Sequence, residues 1–158
     1  MLTPLIVSGV VALVITGAGG LLTEIGPWYR QLRKPSWQPP DWLFGPAWTL
    51  ILALAAWSAA DAWVAAPTPG LRTAVVVLYG FNALFHLLWS PLFFKLKRPD
   101  WALFEVPLLW LSILVPMIVV APFDPFASWL LLPYLLWVTF AAYLNLTIVR
   151  LNGPFAVR

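Results

Sequence analysis

Residues 3–23 read TPLIVSGVVALVITGAGGLLT, an apolar stretch from Thr3 to Thr23 with no charge in it. About 20 such residues cross the ~30 Å hydrocarbon core of a bilayer as a helix. A helix that is apolar on every side belongs in a membrane or in the centre of a large protein. A secretory signal peptide is the competing reading. It calls for a basic segment ahead of the apolar run and an A-x-A-like cleavage site behind it. The sequence has neither, so Thr3–Thr23 is expected to be a transmembrane helix.

The pattern repeats outward along the chain. Further apolar spans are expected at roughly Pro46–Ala66, Leu71–Phe94, Trp101–Ala121 and Phe126–Val149. Pro67, Pro69 and Gly70 break the second from the third. Lys95, Lys97, Arg98 and Pro99 end the third, and Pro122–Pro125 separates the fourth from the fifth. Pro107 and Pro116 fall inside the fourth span, where neighbouring helices can satisfy the freed carbonyls. Composition agrees: 62% of the 158 residues are hydrophobic and 9% charged, against about 25% charged in a soluble domain. The expected fold is an all-α integral membrane protein, one domain over residues 1–158 built as a bundle of five transmembrane helices. There is no cysteine, which excludes disulfides and thiol chemistry. The net charge of +3 sits at span ends rather than in a stripe, so no nucleic-acid partner is expected.

Charge also orients the bundle. With five spans, the first loop, the third loop and the C-terminus share one side. They hold Arg30, Arg33, Lys34, Lys95, Lys97, Arg98, Arg150 and Arg158, whereas the other side holds Arg72. Cytoplasmic loops collect Lys and Arg. The N-terminus is therefore expected outside and the C-terminus in the cytoplasm, in a bacterial inner membrane.

Eleven tryptophans are many for this length. An interfacial aromatic belt accounts for Trp63, Trp101 and Trp129 near span ends. Trp28, Trp37, Trp42 and Trp48 crowd instead into one loop and the helix start after it, among Pro35, Pro39, Pro40 and Pro46. Prolines stiffen the loop. A stiff loop carrying flat rings makes either a wall for a flat apolar ligand or a surface anchor. In the third span Asn82 and His86 are four apart and share a helix face, which Trp89 continues. A polar group at membrane depth usually faces the bundle interior. Two readings stand for this pair: an interhelical hydrogen bond, worth ~0.6 kcal/mol on average, or a polar wall of a ligand pocket. A single histidine excludes a multi-histidine metal site, and no metal site is expected. Asp61, Glu105 and Asp124 lie near span ends, where snorkelling or interfacial contact is expected. No paired acid–base set, P-loop or zinc motif is present.

The first loop, Trp28-Tyr29-x-x-Leu32-x-Lys34-Pro35-x-Trp37-x-Pro39-Pro40-x-Trp42-x-Phe44 followed by Ala47-Trp48-Thr49, resembles the signature of the tryptophan-rich sensory protein and translocator protein family (TspO/MBR, which includes the peripheral-type benzodiazepine receptor). Trp89-Ser90-Pro91-Leu92-Phe93-Phe94 resembles the end of that family's third helix, and Pro133-Tyr134-x-x-Trp137-x-x-Phe140-Ala141-x-x-Leu144-Asn145 its fifth. The likeness runs in order from about Gly17 to Asn152.

The resemblance implies a five-helix bundle, commonly a homodimer. It implies binding of porphyrins such as protoporphyrin IX or haem, or of other hydrophobic small molecules, as ligands rather than as obligatory cofactors; eukaryotic members bind cholesterol. It implies a pocket under the first loop formed by Gly20, Trp28, Trp37, Phe44, Trp48, Asn82, His86, Phe93, Trp137 and Asn145. Some bacterial members degrade protoporphyrin in light, which points to Trp48 and Trp137 as photochemical residues. The implied function is a porphyrin-binding sensor or regulator of tetrapyrrole metabolism; a transporter of porphyrins or other amphipathic molecules is the alternative. The small residues Gly17, Ala18, Gly19 and Gly20 would suit a dimer contact, packing within the bundle, or a clear pocket floor. Three departures stand out. Asn82 and His86 replace the glutamine and asparagine common at their places, Leu52 replaces a frequent tyrosine, and the forward cholesterol pattern fails because six residues separate Tyr143 from Arg150. A haem-ligating His86 is the further reading of that position.

Overall fold

The computed structural model describes residues 1–155; Arg158, counted in the charge asymmetry, lies outside the described residues. The chain forms helices α1 (Leu2–Leu22), α2 (Pro27–Gln31), α3 (Asp41–Ala65), α4 (Pro69–Ser90), α5 (Pro99–Val120), α6 (Pro125–Leu130) and α7 (Leu132–Asn152), with a π-helical turn, Pro91–Lys95, extending α4. Among the described residues there is no strand. Five helical segments are long and apolar enough to cross a membrane: Leu2–Leu22, Asp41–Ala65, Pro69–Lys95, Pro99–Val120 and Pro125–Asn152. The protein is an all-α integral membrane protein.

Helix boundaries follow proline chemistry, and here they depart from the expected limits. The second span starts at Asp41, five residues before Pro46. Pro40 supplies the extended cap, and Asp41 places an acid in the first turn, where the helix dipole favours it. Pro46 then costs one hydrogen bond near the helix start without ending the helix. Trp42 and Phe44 accordingly ride on α3 and not on a loop. Inside the loop, Gly26 and Pro27 start the short α2, with proline at a position whose N–H would be unbonded anyway.

Pro91 falls one turn before the end of the third span. It offers no N–H to the preceding turn, and the chain widens to i→i+5 bonding, with Leu96 N–H donating to the Pro91 carbonyl at 2.9 Å. This turn buries Phe93 and Phe94. Lys97, at φ 53°, takes the left-handed conformation that stops the helix. In the fifth span Pro133 removes the N–H that would continue α6, and the helix breaks at Leu131 before resuming as α7. Pro107 and Pro116 leave α5 unbroken.

Three apolar clusters hold the helices together. One joins Ile51 and Ala55 of α3 to Val106, Leu109 and Ile113 of α5 and to Tyr134 and Val138 of α7. A second, near the first loop, joins Tyr29, Phe93, Phe94, Ala102, Leu144 and Ile148. A third closes the opposite end around Ala62, Val75, Val120 and Ala127, where Ser58 Oγ lies 2.6 Å from the Tyr79 hydroxyl and donates to the Ala127 carbonyl. The first helix lies at the edge of the bundle, packed mainly on α3: of its 21 residues, Ile15 alone is buried.

Candidate functional site: an aromatic cavity under the first loop

A cavity of about 540 Å³ lies within the bundle between α1, α3, α4, α5 and α7, capped by the first loop. This is the size range of pockets that enclose drug-sized ligands. Of the ten residues expected at the pocket, Gly20, Phe44, Trp48, His86, Phe93, Trp137 and Asn145 line it. Their rings interlock. The Trp48 indole stands edge-on to His86, Tyr134 and Trp137, with centroids 4.9, 6.2 and 6.1 Å away. Trp137 meets Phe44 edge-on at 5.8 Å, and Trp89 stacks on Phe93 at 4.9 Å.

The polar atoms of this wall are few. His86 Nδ1 shares a hydrogen bond with the Tyr134 hydroxyl at 3.0 Å. Trp137 Nε1 is buried and has no hydrogen-bond partner among the described residues. A buried donor left this way costs about 1–3 kcal/mol. Asn145 is fully committed. With its amide oriented to satisfy both ends, it donates to the Pro99 carbonyl at 3.0 Å and accepts from Leu103 N–H and Trp89 Nε1, each at 3.3 Å. It ties α7 to α5 and α4 while forming part of the wall.

Three expected residues lie elsewhere. Trp28 packs edge-on against Phe93 from outside the cavity, and Trp37 stacks on Tyr143 and edges Phe140 on α7. Both build the cap rather than the wall. Asn82 donates to Ser112 Oγ at 3.0 Å, the interhelical bond that was one of its two readings. It sits one turn, about 6 Å, along α4 from His86 and lines a different hollow. The glycines are not a close-packing seam within the bundle: a Cβ added at Gly17, Gly19 or Gly20 would meet nothing within 4 Å among the described residues. Gly19 and Gly20 instead leave the cavity floor clear.

Sequence reading missed other parts of the site. Tyr29 and Asp41 line the cavity and lock its cap. The Tyr29 hydroxyl donates to Asp41 Oδ1 at 3.1 Å and accepts from Gln38 Nε2 at 3.1 Å. Lys34 Nζ donates to the Tyr29 carbonyl at 2.6 Å and rides over its ring at 4.2 Å. Burial first, and the Asp41 carboxylate second, push the Tyr29 hydroxyl up to about 12. The loop is also clamped to α7: Arg33 N–H donates to Asn152 Oδ1 at 2.7 Å, and Asn152 Nδ2 donates back to the Arg33 carbonyl at 2.8 Å. This pair places the first loop and the end of the last helix on one face, as five spans require. Ile15 and Thr16 of α1, Thr23 just after it, and Leu52 of α3 complete the wall. The Tyr29 motif was in plain view; the α1 residues carried no signal beyond hydropathy.

Glu105 departs from the expected interfacial contact. It is buried, 5% exposed, and neither carboxyl oxygen has a hydrogen-bond partner among the described residues. Its neighbours Val106 and Leu109 form cavity wall. Asp124 caps α6 by accepting from Ala127 N–H at 2.9 Å. Among the described residues no three His, Cys, Asp or Glu side chains gather as a metal would need.

Five membrane-spanning helices around an aromatic cavity, capped by a proline- and tryptophan-rich loop, define the class: an integral membrane helix bundle with a cavity in its interior. Comparison with known proteins gives the family: the TspO/MBR family pattern matches residues 6–151, and the chain belongs to that family. It is 40% identical over 125 residues to the tryptophan-rich protein TspO of Chlorobaculum tepidum, covering 79% of each chain. It is 35% identical to the protein CrtK of Rhodobacter capsulatus, over 90% of this chain and 89% of the relative. It is 31% identical to the human translocator protein, over 79% and 75%.

Proposed function

We propose that this protein binds a flat, amphipathic tetrapyrrole, protoporphyrin IX or haem, in the aromatic cavity, and acts as a membrane sensor or regulator of tetrapyrrole metabolism. The observation that carries the reading is the cavity wall itself: perpendicular indoles at Trp48 and Trp137, the unpartnered Trp137 N–H and the His86–Tyr134 pair. Large rings offer stacking to a planar macrocycle. Family membership, and a relative in Cereibacter sphaeroides named tryptophan-rich sensory protein, support the sensor role.

Within this reading Trp48 and Trp137 are the photochemical residues. A porphyrin excited by light is a strong electron acceptor, and indole is the most easily oxidised aromatic side chain. The protein's part is confinement and orientation. The bundle works in a bacterial inner membrane with its basic face, carrying the cap, toward the cytoplasm, and as a homodimer. A cytoplasmic reporter fused at the C-terminus should be active and a tag at Met1 reachable from outside; the reverse labelling overturns the orientation. Cross-linking in membranes should give a dimer. Function is tested by reconstituted vesicles assayed for porphyrin flux, alongside dark and light spectra of the purified protein with protoporphyrin IX. Saturable binding without net flux supports the sensor. Protein-dependent flux across sealed vesicles would make it a transporter, the activity named in the human relative.

A further inference from the structure

The bundle holds a second hollow, of about 520 Å³, between α1, α3 and α4. It lies wholly within membrane-spanning segments. Its walls are almost entirely aliphatic and small: α3 contributes Ala55, Ala56, Ala59 and Ala60. Of the side-chain hydroxyl and amide groups on its lining, Tyr79 is turned to Ser58, Asn82 to Ser112 and Ser8 to the Leu5 carbonyl, which leaves Thr3 at the start of α1. At its rim, Val11 of α1 and Val76 of α4 are well exposed, on the surface that faces lipid. A hollow with this lining takes apolar surface and gives an ionised group no partner, so an acidic ligand enters it in its neutral, protonated form.

Two side chains belong to the walls of both hollows, Ile15 of α1 and Leu52 of α3. They are a partition one residue thick. We infer that the second hollow is the lateral vestibule of the aromatic cavity: a largely apolar, planar ligand dissolved in the bilayer enters between α1 and α4 and passes inward when Ile15 and Leu52 swing aside. The inference rests on the proposed reading of the cavity as a ligand site. Three observations favour this route over entry from water. The partition consists of two aliphatic side chains, whose rotation breaks no hydrogen bond. The helix that carries Ile15 packs mainly on α3 and only lightly on α4, with Ile15 its one buried residue. The water-facing side is bridged by the Arg33–Asn152 clamp and the Tyr29–Asp41–Gln38 bonds.

The test uses the full chain in phospholipid vesicles, with protoporphyrin IX delivered from a second, preloaded vesicle population and indole quenching followed by stopped flow. Val11→Trp with Val76→Trp narrows the rim without touching the aromatic cavity. Association and dissociation should both slow by about tenfold, the effect of a modest barrier change, with Kd unchanged. Val11→Ala with Val76→Ala should speed both, which guards against a misfolded bulky variant. Wild-type rates in both pairs overturn the vestibule while leaving the ligand site intact. Absence of saturable binding in the wild type would instead sink the functional reading.

Discussion

Glu105 offers a prediction that can be worked from the structure alone. Its carboxyl is buried at membrane depth beside the cavity wall, and both oxygens are without hydrogen-bond partners among the described residues. An unpaired buried polar group costs about 1–3 kcal/mol. Removing it in favour of an apolar side chain of similar length recovers most of that, as replacement of buried charged groups by hydrophobic ones often does. Glu105→Met should therefore stabilise the bundle by about 1–3 kcal/mol. Glu105→Gln keeps the polar orphan and should gain little. The assay is reversible denaturant unfolding in detergent micelles, followed by tryptophan fluorescence, with all three proteins at matched detergent. A loss of stability of about 2 kcal/mol or more in the methionine variant would refute the reasoning, because only a carboxyl with a real partner leaves such a deficit.

Other expectations are briefer. Trp48→Phe or Trp137→Phe should keep the fold and most porphyrin binding but slow light-driven loss of protoporphyrin; wild-type bleaching in both would exclude the indole mechanism. His86→Ala removes a polar contact at the cavity wall and should weaken binding by about 1–3 kcal/mol as a buried ligand group loses its partner, read by titration in the dark. The Tyr29 hydroxyl should titrate near 12, against an ordinary value of 10.0, in difference absorbance against Tyr29→Phe. Its raised value favours the neutral form, so the cap's contribution is intact below pH 10 and is lost as pH rises through 12. Asp41→Asn should lower that value while burial keeps it above 10. Asn152→Ala cuts both arms of the cap clamp and should raise protease cleavage of the first loop.

The five spans were legible because hydropathy over about 20 residues is a strong signal and the basic residues punctuate it. Their ends were less so. Pro46 reads as a helix start, yet Pro40 and Asp41 make the better one, and only the packed structure distinguishes them. The π turn after Pro91 and the break before Pro133 depend on where freed carbonyls find partners, which one sequence does not display. At the site, the family resemblance pointed to the rings that line the cavity. It did not separate wall from cap, so Trp28 and Trp37 were grouped with residues that they merely cover. Asn82 and His86 share a helix face, but the Ile15–Leu52 partition sends them to different hollows. Glu105 looked interfacial by position, and burial between helices is a tertiary fact.

The central claim is that the aromatic cavity is a ligand site. It is tested most directly by titrating protoporphyrin IX into the purified protein in the dark, following indole quenching, and repeating the titration on Gly20→Leu. A side chain at Gly20 has open space around it and would protrude into the cavity without disturbing the helix packing. The account predicts saturable, stoichiometric quenching in the wild type and a loss of that saturable phase in the variant, with helicity unchanged. Equal quenching in the two proteins, or quenching that rises without saturation as for simple partition into micelles, would contradict it.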